Sequence, residues 1–237
     1  MFKLDSPFMN FLNKVCDIMI LNILVLVFSL PVFTAGAAIT AAYYMSYKMV
    51  RNEESYITKG FFKAFKENFK QSTIMWLIVL AIAAVLYGDY KILTESGIEF
   101  QSWLVIALIT VTVILMMGFS FLFPMQARFS NTIKNTMKNS FLMALSHLPS
   151  AFIFVLSYAV PVVLLYFIPR AAPAIVLLVF GALPYFKSFL FLKIFKKYED
   201  NLVARTEEDS EEDAPDSGIF SESEAMEKES ENSQETL

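Results

Sequence analysis

A chain of 237 residues that is 56% hydrophobic and only 18% charged, with 24 phenylalanines, is too apolar for an ordinary soluble domain. Its net charge of −4 hides two unlike parts: from residue 199 onward fifteen Asp/Glu oppose only Arg205 and Lys228, whereas residues 1–198 hold seventeen Lys/Arg against eight Asp/Glu. A single cysteine, Cys16, excludes an intramolecular disulfide, and a single histidine, His147, without Cys or His companions argues against a metal site.

A bilayer core of about 30 Å takes about 20 apolar residues as helix, and five stretches meet or approach that length. The first, residues 18–45, is interrupted by Pro31. As one straight helix it would reach roughly 42 Å, so a tilt or a break at Pro31 is required. A single broken crossing is the preferred reading, and a hairpin of two shorter helices the alternative. The small residues that follow Pro31 place Gly36, Ala38, Thr40 and Ala42 at four-residue spacings that let helix backbones approach closely, a packing face. "AGA" at 35–37 has the look of a signal-peptide cleavage site, but no basic segment precedes it and the apolar run continues past it.

Residues 58–71, "TKGFFKAFKENFKQ", follow. At about 100° per residue, Phe61, Phe62, Phe65 and Phe69 fall within roughly a 100° arc, and Lys59, Lys63, Lys66 and Lys70 gather on the opposite side. Such a helix is expected to lie in the membrane interface, phenylalanines in the acyl boundary and lysines toward anionic headgroups. It leads into the second apolar run, 72–88, and the third covers 102–123. A second amphipathic elbow comes next, with Phe129, Ile133, Met137 and Phe141 on one face and Lys134 and Lys138 on the other. Residues 65–77 align without gaps on 133–145, with Lys66, Lys70, Ser72, Met75 and Leu77 identical in both, which suggests two copies of a crossing–elbow–crossing unit. The fourth and fifth runs are 151–168, which contains Pro161, and 171–192.

The connections 48–70, 126–149 and 187–205 carry fourteen Lys/Arg together, and the alternate connections carry only Lys91 and Arg170. That bias places the basic connections and the C-terminal tail in the cytoplasm. The tail is rich in Glu and Ser with almost no aromatics and is expected to be disordered. The fold expected is therefore all-α: a polytopic transmembrane bundle (1–198) of about five spanning helices with two cytoplasmic interfacial elbows, then a disordered acidic tail (199–237).

No Walker loop, G-x-G-x-x-G, H-E-x-x-H or paired-cysteine motif occurs. Asp89, Glu95 and Glu99 sit in an outer connection and read as solvated loop charges. No catalytic residue, cofactor site or metal site is expected, nor any nucleic-acid partner.

The N-terminal residues 1–71, with "PMQARF" at 124–129 and "NTMKNSFLMALSHLP" at 135–149, resemble the YesL family of bacterial integral membrane proteins, a family of unknown function. The acidic tail departs from that family's pattern. The resemblance implies an inner-membrane protein often encoded near carbohydrate-uptake and polysaccharide-utilisation systems, and it supplies no catalytic or binding residues. The expected role is a non-enzymatic accessory or regulatory component of such a system, in contact with lipid and with transporter or sensor subunits. The alternative is a permease subunit.

Overall fold

A computed structural model describes residues 7–53, 56–95 and 101–212. Among the described residues there are eight α-helices and no strand: α1 Pro7–Ser29, α2 Ala35–Val50, α3 Ile57–Glu95, α4 Ser102–Arg128, α5 Ile133–Ser146, α6 Leu148–Ser157, α7 Ala159–Phe167 and α8 Ala172–Glu212. Short 3-10 turns, Val32–Thr34 and Pro169–Ala171, precede α2 and α8. The chain divides into two compact units, one ending at Leu192 and the other beginning at Lys193. Glu99 and residues 213–237 of the expected disordered tail lie outside the described residues; helix α8 runs to Glu212 before them.

The 18–45 run folds as a hairpin, not as the single broken crossing preferred from sequence. Pro31 lacks an N–H and clashes with the carbonyl four residues back, which stops α1 at Ser29. The Phe28 carbonyl, freed at that end, finds a donor in the Thr34 hydroxyl at 2.5 Å. At the far end the Lys14 ammonium donates to the Asn52 side-chain oxygen at 2.8 Å, so the start of α1 and the end of α2 lie together. Asn52 has a φ of 55°, a left-handed conformation that asparagine tolerates at a helix end. Pro31 marks where α1 stops but not the angle at which the chain leaves it, whereas Pro124, which follows the third apolar run expected over 102–123, lies inside α4, which continues to Arg128.

The hairpin brings Leu21 and Val25 of α1 against Ala38, Ala41, Ala42 and Met45 of α2, and α3 adds Ile57, Phe61 and Ala64 to the same cluster. Gly36, Ala38, Thr40 and Ala42 are all buried. A Cβ added at Gly36 would come within 2.5 Å of the Trp76 Cβ and 2.7 Å of the Ser72 carbonyl oxygen, so α2 and α3 touch backbone to side-chain root there. The Thr40 and Ser72 hydroxyls share a hydrogen bond of 2.9 Å just beside that contact.

Helix α3 has 39 residues and spans roughly 58 Å at 1.5 Å per residue, nearly twice a bilayer core. The first elbow is thus not a separate helix but the continuous N-terminal half of α3, because nothing between Gln71 and Ser72 interrupts the ladder. Its phenylalanine face is also placed differently from the expectation. Phe61 is fully enclosed and Phe65 half-buried, with the Phe28 ring 5.7 and 5.0 Å from theirs. Only Phe62 and Phe69 are exposed, alongside Lys63, Lys66 and Lys70. Burying apolar area is worth about 25 cal/mol per Å² whichever apolar phase receives it, so periodicity located the stripe without saying that the α1–α2 hairpin covers part of it. The second elbow, α5, is a separate helix capped by the Thr132 side chain. Its fully buried side is Thr136, Ser140, Met143 and Ala144; Phe129, Ile133, Met137 and Phe141 are half-buried at its flank, and Lys134 and Lys138 are exposed.

Pro161 splits the fourth run into α6 and α7 with a joint at Tyr158. It can offer no N–H to the Ser157 carbonyl, and the joint tightens into a 3-10 bond from Tyr158 N to Val155 O at 3.1 Å. Four stretches of the described residues are long and apolar enough to cross a membrane: Phe11–Ser29, Ile57–Glu95, Ser102–Arg128 and Leu148–Phe167. At most 17% of the apolar window in each is buried inside the chain. Surfaces so apolar and so uncovered do not persist in water, and they mark a membrane protein.

Glycine substitutions should separate packing from helix propensity. Gly36→Ala is expected to destabilise by about 1–3 kcal/mol, since backbone must yield to the new methyl. Gly88→Ala, with nothing within 4 Å of the added Cβ, should be neutral or stabilising by up to about 1 kcal/mol. Thermal unfolding in a non-ionic detergent measures both, and equal effects would contradict the close approach at Gly36.

Candidate functional site

Two polar groupings lie between the helices. The first centres on Gln126 near the end of α4, which is 5% exposed. Its amide nitrogen donates to Asn68 Oδ1 at 3.1 Å and Gln71 Oε1 at 2.7 Å, and its amide oxygen accepts from the Thr136 hydroxyl at 3.3 Å. One side chain thereby ties α3, α4 and α5 together. The Tyr47 hydroxyl donates to the Pro124 carbonyl at 3.0 Å and adds α2 to the same junction. Gln126 lies inside the "PMQARF" motif, yet sequence reasoning gave it no role; the only signal was an amide at the end of an apolar run.

The second grouping sits at the α6–α7 joint. The kink at Pro161 leaves Tyr158 between two cavities, one of about 520 Å³ and one of about 340 Å³, and it shares both linings with Ile39 and Tyr43 of α2. The larger is walled by α3 and α4, including Trp76, Ile82, Leu115, Met116 and Ser120. The smaller is walled by α1, α7 and α8, including Val25, Leu165, Val179 and Lys187. The Tyr158 hydroxyl interacts with those of Tyr43 and Ser120, which gives the boundary between the cavities its polar character.

Lys187 was read from sequence as the first residue of a cytoplasmic basic cluster. The structure instead puts it inside, 4% exposed, in the wall of the smaller cavity. Its ammonium stands 3.3 Å from the centre of the Tyr158 ring and has no hydrogen-bond acceptor among the described residues. A desolvated cation–π contact is worth roughly 2 kcal/mol, whereas removing an ion from water costs several kcal/mol even after relaxation. The ring alone does not offset that cost. The signal in the sequence was slight: apolar "SFLFL" separates Lys187 from the basic cluster that begins at Lys193. Among the described residues no group of three or more His, Cys, Asp or Glu is arranged to hold a metal ion.

Comparison with known proteins adds a similarity to uncharacterised proteins and no chemistry. A family model described as "Protein of unknown function, DUF624" matches residues 18–90, which covers about half of α1, all of α2 and most of α3. The chain is also 28% identical over 145 residues to "Uncharacterized protein YesL" of Bacillus subtilis (strain 168), an alignment covering 58% of this chain and 68% of that protein. These matches support a YesL-like, uncharacterised family. No solved structure matches.

In protein stripped of lipid, Lys187→Met should raise stability by about 1–3 kcal/mol, because the variant keeps the packing volume and drops the uncompensated charge. A rise in Tm measured in non-ionic detergent is the expected result; a fall would mean the ammonium has an acceptor within the fold.

Proposed function

We propose that this chain is a non-enzymatic component of the bacterial cell membrane that assembles with a transport or sensor system for carbohydrate. The observation that carries this reading is how the inter-helix polar groups are used. Thr40 pairs with Ser72, Gln126 with Asn68, Gln71 and Thr136, and the Asn22 side chain accepts from the Gly181 backbone N–H at 2.7 Å. These are hydrogen bonds that hold helices together, not groups aimed at a substrate. The outer faces of α4, α6 and α7 offer large exposed side chains such as Ile106, Ile109, Phe152 and Val162 to lipid or to partner helices. The link to carbohydrate rests on the YesL resemblance alone.

In this reading the basic connections and the C-terminal segment face the cytoplasm, with Lys63, Lys66, Lys70, Lys134 and Lys138 toward the anionic inner leaflet. The pairing of Lys14 with Asn52 puts the start of α1 on that same side. A second reading, a permease subunit, draws on the two cavities that share Ile39, Tyr43 and Tyr158. Flux of labelled oligosaccharide through proteoliposomes of the purified chain would favour it over the first.

Crosslinking in native membranes followed by purification should recover a subunit of a carbohydrate transporter or sensor. Repeated recovery of the chain alone would count against the assembly reading. For orientation, in a Cys16→Ala background a membrane-impermeant thiol reagent on intact cells should label Glu95→Cys and spare Lys63→Cys. The reverse pattern would invert the topology.

A further inference from the structure

The smaller cavity combines two features seldom found together. Its walls are largely aliphatic, from Val25, Ile39, Leu165, Val179 and Leu183, yet it contains the buried Lys187 ammonium with no acceptor among the described residues. The nearest polar company is the pair of hydroxyls on Tyr43 and Tyr158, which can donate hydrogen bonds but supply no negative charge. A buried cation without an acceptor in the wall of an apolar cavity is costly unless something pairs with it, and its natural complement is an anion that arrives with its own apolar body.

We propose that this cavity binds an anionic amphiphile, its phosphate or carboxylate head on Lys187 and its aliphatic chain along the α1, α7 and α8 walls. A phosphate or carboxylate oxygen would take a charge-assisted bond from the ammonium at about 2.7–2.9 Å. The chain would lie on Val25, Leu165 and Val179, a surface that gains by excluding water. A sugar fits poorly, because its ring of hydroxyls would lose water against these walls. A neutral lipid would leave the ammonium uncompensated. The ligand site goes beyond the assembly reading above and stands or falls independently of it, since its test uses the purified chain alone.

The experiment uses the full chain, delipidated in a non-ionic detergent, with four probes: hexadecyl phosphate, palmitate, hexadecanol and inorganic phosphate. Binding is read by native mass spectrometry and by thermal shift. Wild type should bind hexadecyl phosphate, palmitate or both saturably, with hexadecanol and inorganic phosphate at least tenfold weaker. A preference for the phosphate points to a phospholipid source and a preference for palmitate to a free fatty acid; either supports the site. Lys187→Met should weaken the anionic amphiphile at least tenfold and Lys187→Arg should restore it, while Lys91→Met, at an exposed charge outside the basic connections, should bind like wild type. Should Lys187→Met fail to fold, Val179→Trp, which fills the cavity and leaves the ammonium in place, should abolish binding in its stead. Equal binding by wild type and Lys187→Met, hexadecanol binding as tight as the anions, or unchanged binding by Val179→Trp would overturn the proposal.

Discussion

The structure turns on the close approach of α2 and α3 at Gly36. Helix α2 is 16 residues long and eleven of them are buried, on every side of the helix. A helix enclosed in that way needs small side chains, because each neighbour must come within a side-chain root of its backbone. Gly36 admits the Trp76 Cβ and the Ser72 carbonyl, and Ala38, Ala41 and Ala42 admit α1. From that position α2 reaches the rest of the unit: Tyr47 meets the α4 carbonyl at Pro124, and the Tyr43 ring packs edge-on to Phe191 of α8 at 5.8 Å.

Prolines set the outline around this helix. Pro31 turns α1 back onto α2, and Pro161 bends α6 into α7. Each frees a carbonyl that a nearby group must satisfy or avoid. The consequence at Pro161 is the more interesting one for function, because the kink carries Tyr158 to the boundary of two cavities. There it lies face-on to Lys187, while the Phe154 ring stacks on Phe191 at 4.1 Å to close the packing beneath. The polar boundary at Tyr158 is therefore a product of backbone geometry set one turn away.

The alignment of residues 65–77 on 133–145 acquires a structural counterpart. Ser72 and Ser140, identical in the two copies, are both fully buried; Met75 and Met143 are both buried; Lys66, Lys70, Lys134 and Lys138 are all exposed. Asn68 and Thr136, which occupy equivalent positions, both bond to Gln126. The copies differ in continuation. The first runs unbroken into an apolar helix of 39 residues, whereas the second ends at Ser146, where His147 leaves the helical conformation and Pro149 opens α6. The same local face is thus used once as the base of a long helix and once as a short connecting helix.

How much of this was legible in the amino acids follows from what each signal measures. Apolar runs of bilayer length fixed the helical class and membrane character, since hydropathy over about 20 residues reports a solvent preference that no partner can alter. Pro31 and Pro161 marked breaks, whereas Pro124 and Pro184 lie inside α4 and α8, and small residues at four-residue spacing marked the helix that others approach. Tertiary structure alone decided the rest: the hairpin at Pro31, the covering of Phe61 by α1 and α2, the joining of three helices at Gln126, and the removal of Lys187 from the basic cluster. Those outcomes depend on which surface meets which between elements tens of residues apart in the chain. Periodicity gives the direction in which a side chain points, and only the packed neighbours determine what it finds there.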